Sequence, residues 1–352
     1  MREECRMRLE RGQFAAVRVH GVKSWRVHEL GEPTDVLVLD DVPAPEPGPG
    51  QVLIDVAASA LNFPDALYCR GQYQERPALP FSPGLEVAGT VLAVGTGVTS
   101  LEAGQRVAAM PMRPWGGLSE QTLALAPQAF PVPASLDDVA ASALIITYQT
   151  GWVGLFHRAR LQPGETLLVH AGAGGVGSAA IQLGLAGGAM VIATAGGPEK
   201  VDVCRRLGAH HVIDYSTEDF VDVVKDLTDG RGVDVVYDPV GGDVFDRSRR
   251  IVAWEGRLLV IGFTSGRIPD APANHILLKN YAVVGVHWGA YNAHDPELVR
   301  RCHAELMRLH AEGQIAPLVQ RLVPFEEAPK AIAALASRGS WGKLVVTPPA
   351  ER

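Results

Sequence analysis

The chain has 352 residues, 47% of them apolar and 20% charged, which suits a soluble globular protein of two domains rather than one large core. A net charge of −7 with no basic block argues against nucleic acid or an anionic membrane as a partner, and no apolar run approaches the roughly 18 residues a membrane helix needs. The opening MREECRMRLERGQ is charged throughout and lacks the apolar segment of a secretory signal, so a cytoplasmic location is expected. Cys5, Cys69, Cys204 and Cys302 are scattered without a C-x-x-C pair. They read as isolated reduced thiols, neither a disulfide framework nor a thiolate zinc site.

From residue 13 to about 140 the chain is β-rich. QVLIDVAASAL (51–61) and VAGTVLAVG (87–95) are apolar runs punctuated by PAPEPGPG (43–50), Gly95 and Gly97, the pattern of a barrel or sandwich. Beyond residue 140 the rhythm changes. LLVHA, MVIATA (190–195), HHVIDY (210–215), VDVVYDPVGG (233–242), GRLLVIGF (256–263) and AVVGVHWG (282–289) are six strand candidates separated by helical or loop stretches. Their continuous apolar character predicts a doubly wound parallel sheet covered on both faces, with ligands at the carboxyl ends of its strands. A tail of PLVQRLVPF, EEAPKAIAALASRG and WGKLVVTP reads as strand–helix–strand, and the pattern alone leaves its place in the fold open.

Between the first of those strands and its helix lies VHAGAGGVGSAAIQLG (169–184). Gly172, Gly174 and Gly177 fit G-x-G-x-x-G in the strand–turn–helix context that gives the pattern meaning. Gly172 is expected to permit the tight turn, Gly174 to let backbone approach a pyrophosphate, and Gly177 to let helix and strand pack closely. Ala173, Gly175 and Val176 complete the loop, and the free N–H groups of the helix start would face the phosphates. An NAD-preferring site wants an acid about 20 residues further on. The second strand instead ends in Thr194-Ala195-Gly196-Gly197, with no carboxylate at its tip. Small residues, exposed backbone N–H groups, Lys200 one helical turn away and the Tyr215 hydroxyl favour the extra phosphate of NADPH. Glu199 is the alternative partner for a ribose, although a helix first turn also favours an acid there.

LNFPDALYCRGQY, PFSPGLEVAGTVLAVGTGV, GQRVAAM, ARLQPGETLLVHAGAGGVGSAAIQLG, GAHHVIDY, GRGVDVVYDPVGG and GRLLVIGF occur in this order. As a set they resemble the medium-chain dehydrogenase/reductase superfamily, in its zinc-free quinone oxidoreductase (zeta-crystallin-like) branch, over residues 14–347. The resemblance implies an α/β chain. A GroES-like β-rich catalytic domain (13–145) would be completed by the C-terminal part (291–352), around a six-stranded Rossmann domain (146–290). Zinc alcohol dehydrogenases of the superfamily hold their catalytic metal through a Cys and through the His of a G-H-E motif. Here the matching residues are Asn62 and Leu85, in Gly84-Leu85-Glu86, and neither can ligate zinc as those do. No Cys lies between 69 and 204, where the structural-zinc cluster would stand. No metal site is expected.

Hydride delivery without zinc calls for an electron-poor acceptor, a quinone or an α,β-unsaturated carbonyl, whose developing charge needs hydrogen-bond donors and a proton. The resemblance places Asn62, Asp65 and Tyr73 in the cleft-lining stretch. Asn62 would orient substrate or nicotinamide through its amide, and Tyr73 would donate to the enolate or quinol oxygen. Asp65 would act either in chemistry or as a helix cap after Pro64. The family's further tyrosine falls at Leu67, with Tyr68 adjacent. Thr147 in ITYQTGW would contact the nicotinamide side and Val240 the adenosine. Gly262, Phe263 and Thr264, then Val286, His287 and Trp288, end the fifth and sixth strands. Lys343 is a further carry-over. Trp288 has two readings, a wall of the substrate site or filler of an interdomain seam. A reductase of enoyl thioesters, which would set Arg70, Arg76 or Arg113 against coenzyme A phosphates, is the alternative enzyme. A nucleotide-binding protein with little activity is the alternative of another class. The family's habit of pairing last-strand edges implies a homodimer through residues 282–288.

Overall fold

The computed structural model describes residues 21–337 and 339–349. Residues 13–20 and 350–352 of the expected domains, and Cys5, lie outside the described residues. Strands β1 (Val22–Val27) and β2 (Leu37–Val42) form an antiparallel pair. They precede β3 (Gln51–Ala60), β4 (Glu86–Val94), β5 (Arg106–Pro111) and β6 (Gln121–Pro131). β3 pairs antiparallel with both β4 and β6, and β5 joins β4 to β6, so these four strands close on themselves. Val52, Ile54 and Val56, two residues apart on β3, share one apolar core with Val87, Val107 and Ala124, as the period of a strand dictates.

The second sheet holds β7 (Thr166–Val169), β8 (Met190–Ala195), β9 (His211–Asp214), β10 (Val233–Asp238), β11 (Val252–Val260) and β12 (Ala282–Gly285). All are parallel, in the order β9-β8-β7-β10-β11-β12. Leu167, Val191, Val235 and Leu259 belong to one apolar cluster, while Leu168, Ile192, Val236 and Leu258 belong to another. Neighbouring residues on one strand thus enter different cores, which is why these strands read as unbroken apolar runs. The strand order reverses at β7, opening a crevice beyond the carboxyl ends of β7 and β10. One strand is shorter than its apolar run predicts. β12 stops at Gly285, and Trp288 begins a single tight helical turn, Trp288–Ala290. The indole is only 7% exposed and lies in the apolar cluster that also holds Phe130 and Leu167. The ring packs into that cluster, and the chain has left the sheet after Gly285.

The tail supplies β13 (Val319–Pro324), helix Ala328–Ala336 and β14 (Lys343–Thr347). β14 pairs antiparallel with β3, so the last strands extend the first sheet. Just before β14, Gly342 bridges Gly174, and its N–H donates to the carbonyl of Ala173 at 2.7 Å. The chain's end therefore lies across the glycine turn.

Candidate active site

The glycine turn follows β7 directly. Its left-handed residue is Ala171, with φ of 50°, not Gly172. Gly172 is needed for packing instead. A Cβ there would lie 2.9 Å from Cys204 Sγ and 3.0 Å from Ala193 Cβ, and its N–H donates to the Thr194 carbonyl at 2.8 Å. At Gly177 a Cβ would lie 2.2 Å from the Ala171 carbonyl oxygen, so helix Gly175–Ala186 can approach β7 this closely only with glycine. Gly174, the N-cap, is different. The nearest atom to a Cβ there is the Ala171 oxygen at 3.3 Å, which leaves its outer side open. The turn is a cradle with a packed floor and an open rim, and a pyrophosphate fits that rim. At the rim, a Cβ on Gly175 would meet Lys343 Cδ at 3.1 Å and Thr147 Cγ2 at 3.2 Å. Thr147 and Lys343, far apart in the chain, thus meet at the start of this helix. Ala173 is buried and Val176 half-buried.

At the end of β8 the Tyr215 ring covers Gly196, where a Cβ would lie 2.6 Å from the phenol oxygen. Tyr215 itself remains 56% exposed. Gly197 caps helix Pro198–Arg206 with φ of 81°, and its N–H is not open to a ligand: it donates to Asp214 Oδ1 at 3.0 Å. The same oxygen accepts the N–H of Ser216 at 3.0 Å and its hydroxyl at 2.6 Å. Those bonds hold the Asp214 carboxyl below its usual range. The β8 tip therefore has a carboxylate beside it, contributed by the neighbouring strand. Glu199 accepts the Trp341 indole N–H at 2.8 Å, so the tail occupies the acid that was the alternative ribose partner. Lys200 is half-buried in the first turn of the same helix.

Beneath this edge His170 is fully buried, and burial pushes its pKa down to about 3. Ser248 gives its hydroxyl proton to the Val244 carbonyl at 2.7 Å. His170 Nε2, 2.8 Å from the Ser248 oxygen, must then be the protonated nitrogen. Nδ1 accordingly accepts from the Thr194 hydroxyl at 3.0 Å. At the end of β10, Asp238 Oδ1 accepts the N–H groups of Val240 and Gly241 at 2.8 and 3.0 Å. Its Oδ2 is buried without a partner among the described residues, and burial raises the pKa to about 6. Gly262 lies over Pro239, the Thr264 N–H donates to the Pro239 carbonyl at 3.1 Å, and Phe263 packs on Gly241. Val240 joins them through the Ser265 N–H, which donates to its carbonyl at 2.9 Å, so these residues gather beyond the ends of β10 and β11. Val286 donates its N–H to the Val260 carbonyl at 3.1 Å, and His287 is exposed at the strand's end.

The cleft on the other side is built around a buried ion pair. Glu86 and Lys343 have side chains 0% and 5% exposed and meet at 2.8 Å. Lys343 also donates to Asn62 Oδ1 at 2.6 Å, and Asn62 Nδ2 donates to Glu86 Oε1 at 3.0 Å and to the Ala60 carbonyl at 3.1 Å. The second Glu86 oxygen accepts the Ile146 N–H at 2.8 Å, which fixes the wide-turned helix Ile145–Gln149 that carries Thr147. Both amide protons of Asn62 are thereby spent inside the protein. Only a lone pair of Oδ1 remains for a ligand, whereas the Lys343 ammonium keeps a third N–H. Asp65 is fully buried, and its two oxygens accept the backbone N–H groups of Asn62 at 2.7 Å and Gly84 at 2.9 Å. Burial raises its pKa. It ties the start of helix Phe63–Cys69 to the Gly84 turn, so its geometry is that of the helix-capping reading. Tyr73 is half-buried, with its ring 4.6 Å from that of Tyr68. The Arg113 guanidinium lies 4.2 Å over the opposite partner, Tyr68. Burial first, then the charges of Glu75 and Asp65, raise the Tyr73 phenol and keep it protonated.

Two family models match the chain: the alcohol dehydrogenase GroES-like domain over residues 48–134 and the zinc-binding dehydrogenase over residues 175–304. A quinone oxidoreductase-like protein 2 homolog of Nematostella vectensis is 40% identical over 331 residues, covering 93% of this chain and 90% of that protein. Escherichia coli quinone oxidoreductase, solved with NADPH, is 30% identical with a TM-score of 0.85, over 94% of this chain and 100% of its own. CurK enoyl reductase is 28% identical with a TM-score of 0.84, over 94% of this chain and 100% of its own. The chain belongs to the zinc-free quinone oxidoreductase branch of the medium-chain dehydrogenase/reductase superfamily. It is an oxidoreductase of a family that binds nicotinamide cofactors.

In this quinone oxidoreductase-like chain a lysine ammonium bridges Asn62 and Glu86. Among the described residues no group of three or more His, Cys, Asp or Glu side chains could hold a metal ion, and no helix is long and apolar enough to cross a membrane. Glu86, Asp214 and Asp238 are missed by reading the sequence for motifs. Glu86 stands in the quoted G-L-E, Asp214 immediately precedes Tyr215, and Asp238 precedes Pro239 and two glycines. Those adjacencies were their only signals.

Proposed function

We propose that the chain is a zinc-independent NADPH-dependent reductase that transfers hydride to a quinone or an α,β-unsaturated carbonyl. The observation that carries this reading is the Lys343 ammonium, held by Glu86 and Asn62 beside the open rim of the glycine turn. Gly174, Gly175 and Val176 would hold the pyrophosphate, Thr147 and Lys343 the nicotinamide half, and Val240 the adenosine. Gly196, Lys200 and Tyr215 would take the extra phosphate. Bound NADPH would supply the hydride. The protein's own part is to orient, to exclude water and to give a proton. The Tyr73 phenol, kept protonated, would donate to the acceptor oxygen.

NADPH preference is supported by the small residues at Gly196 and Gly197, the Tyr215 hydroxyl and the occupation of Glu199 by Trp341, and by the NADPH bound to the Escherichia coli relative. A thioester substrate draws less support. Arg70 is bidentate to Glu32 at 3.0 and 2.7 Å and Arg113 is stacked on Tyr68, while Arg76 is exposed. We also infer a homodimer through the β12 edge, where helix Ala273–Lys279 leads into the strand with Leu277 and Leu278 78% and 76% exposed. Steady-state NADPH oxidation with quinones, enones and enoyl-CoA esters tests the reading. Turnover with at least one of the first two classes is expected, whereas tight NADPH binding with no turnover would indicate the non-enzymatic alternative.

A further inference from the structure

The carboxylate that distinguishes NAD from NADP sites normally ends the second strand of the nucleotide-binding sheet. Here that place holds glycines, yet a carboxylate reaches it from the side. In the register of β8 with β9, Ala195 lies opposite Asp214, so the last residue of β9 stands beside the last residue of β8. Oδ1 of Asp214 takes the N–H of Gly197, the residue that opens helix Pro198–Arg206. The Tyr215 ring, next in the chain, covers Gly196.

We propose that Asp214 is a specificity-determining residue that limits the preference for NADPH and leaves NADH usable by the same site. This rests on the reading of the glycine turn as a dinucleotide site. A 2′-phosphate set against Gly196 and Gly197 meets a fixed negative charge and finds the Gly197 N–H already taken. A 2′-hydroxyl carries no charge to be repelled. Hydrogen bonds from Ser216 and Gly197 hold the carboxyl below its usual range and so favour its charged form. They also fix its position, so the charge does not swing away when the phosphate arrives. Tyr215 and Lys200 act in the opposite sense, and the balance between the two strands sets the ratio of the two affinities.

Asp214→Asn keeps an acceptor oxygen for Gly197 and Ser216 while removing the charge. Dissociation constants of NADPH and NADH for the purified wild type and variant, measured by calorimetry, test the proposal directly. NADPH is expected to bind severalfold to about tenfold tighter to the variant, with NADH changed by less than about twofold. An unchanged NADPH/NADH ratio, or equal weakening of both, overturns the proposal, since a purely structural residue affects the two cofactors alike. Asp214→Ser is a second neutral variant, read in the same way if Asp214→Asn does not fold. Failure of the wild type to bind either dinucleotide would instead remove the reading of the glycine turn itself.

Discussion

Lys343 and Glu86 form a buried ion pair at 2.8 Å across 257 residues of sequence. The contact ties β14 to β4, and through Ile146 it also sets the helix that carries Thr147. Desolvating two charges is costly, and the cost is recovered only when every remaining polar group is satisfied. Asn62 supplies part of this by accepting from the lysine and donating to the glutamate, and one Lys343 N–H is left for a ligand. The pair therefore specifies one arrangement of the cleft rather than merely adding stability.

Replacing Lys343 with Met leaves the Glu86 carboxylate buried without its cation. A loss of about 3–5 kcal/mol is expected, measured as a lower midpoint in urea unfolding. A wild-type midpoint would mean that the pair does not hold the tail in place.

Tyr73→Phe removes the proposed proton donor and preserves the ring that packs, tilted, against Tyr68. The expected result is a fall in kcat of roughly a hundredfold, with the dissociation constant of NADPH unchanged. A variant that turns over at the wild-type rate assigns the proton to another group.

Two glycines of one turn should fail differently. Gly177→Ala forces a Cβ to within 2.2 Å of the Ala171 oxygen; a loss of about 1–3 kcal/mol in stability is expected from such overpacking. Gly174→Ala has 3.3 Å to its nearest neighbour and should fold normally, yet crowd the rim and weaken NADPH. Thermal midpoints and NADPH titrations of both variants separate the floor of the cradle from its rim. Equal behaviour in both assays would merge the two roles.

Asp238 makes a pH prediction. Its folded pKa, about 6, lies above the ordinary aspartate value of 3.8 because burial disfavours the charge. Between those values the folded state binds more protons than the unfolded one, so this group lowers stability as pH rises from about 4 to about 6. Asp238→Asn should remove that contribution, making the variant more stable than the wild type above pH 6 by on the order of 3 kcal/mol. The advantage should shrink toward pH 4. A wild-type-minus-variant difference that is flat with pH contradicts the burial argument.

Local features of this fold are legible in the sequence, and lateral ones are not. The glycine turn is read correctly in place because strand, turn and helix are contiguous, although the positive φ falls on Ala171 rather than on a glycine. The six parallel strands announce themselves by unbroken apolar runs, since each enters two cores. AVVGVHWG overstates its strand because an apolar indole at Trp288 looks the same whether it extends a sheet or fills a core. Asp214 is invisible as a partner of Gly197 because strand register brings them together, not spacing. The Lys343–Glu86 contact likewise depends on the tail returning to β3. Asn62 is found, but the number of its amide bonds already spent is a property of the packed cleft alone.

The most direct test of the account is NADPH oxidation by chelator-treated protein, followed with a quinone and an α,β-unsaturated ketone as acceptors. Turnover with at least one of them is expected, unchanged by the chelator and strongly reduced in Tyr73→Phe. No turnover with either acceptor, or activity that returns only on adding zinc, would contradict it.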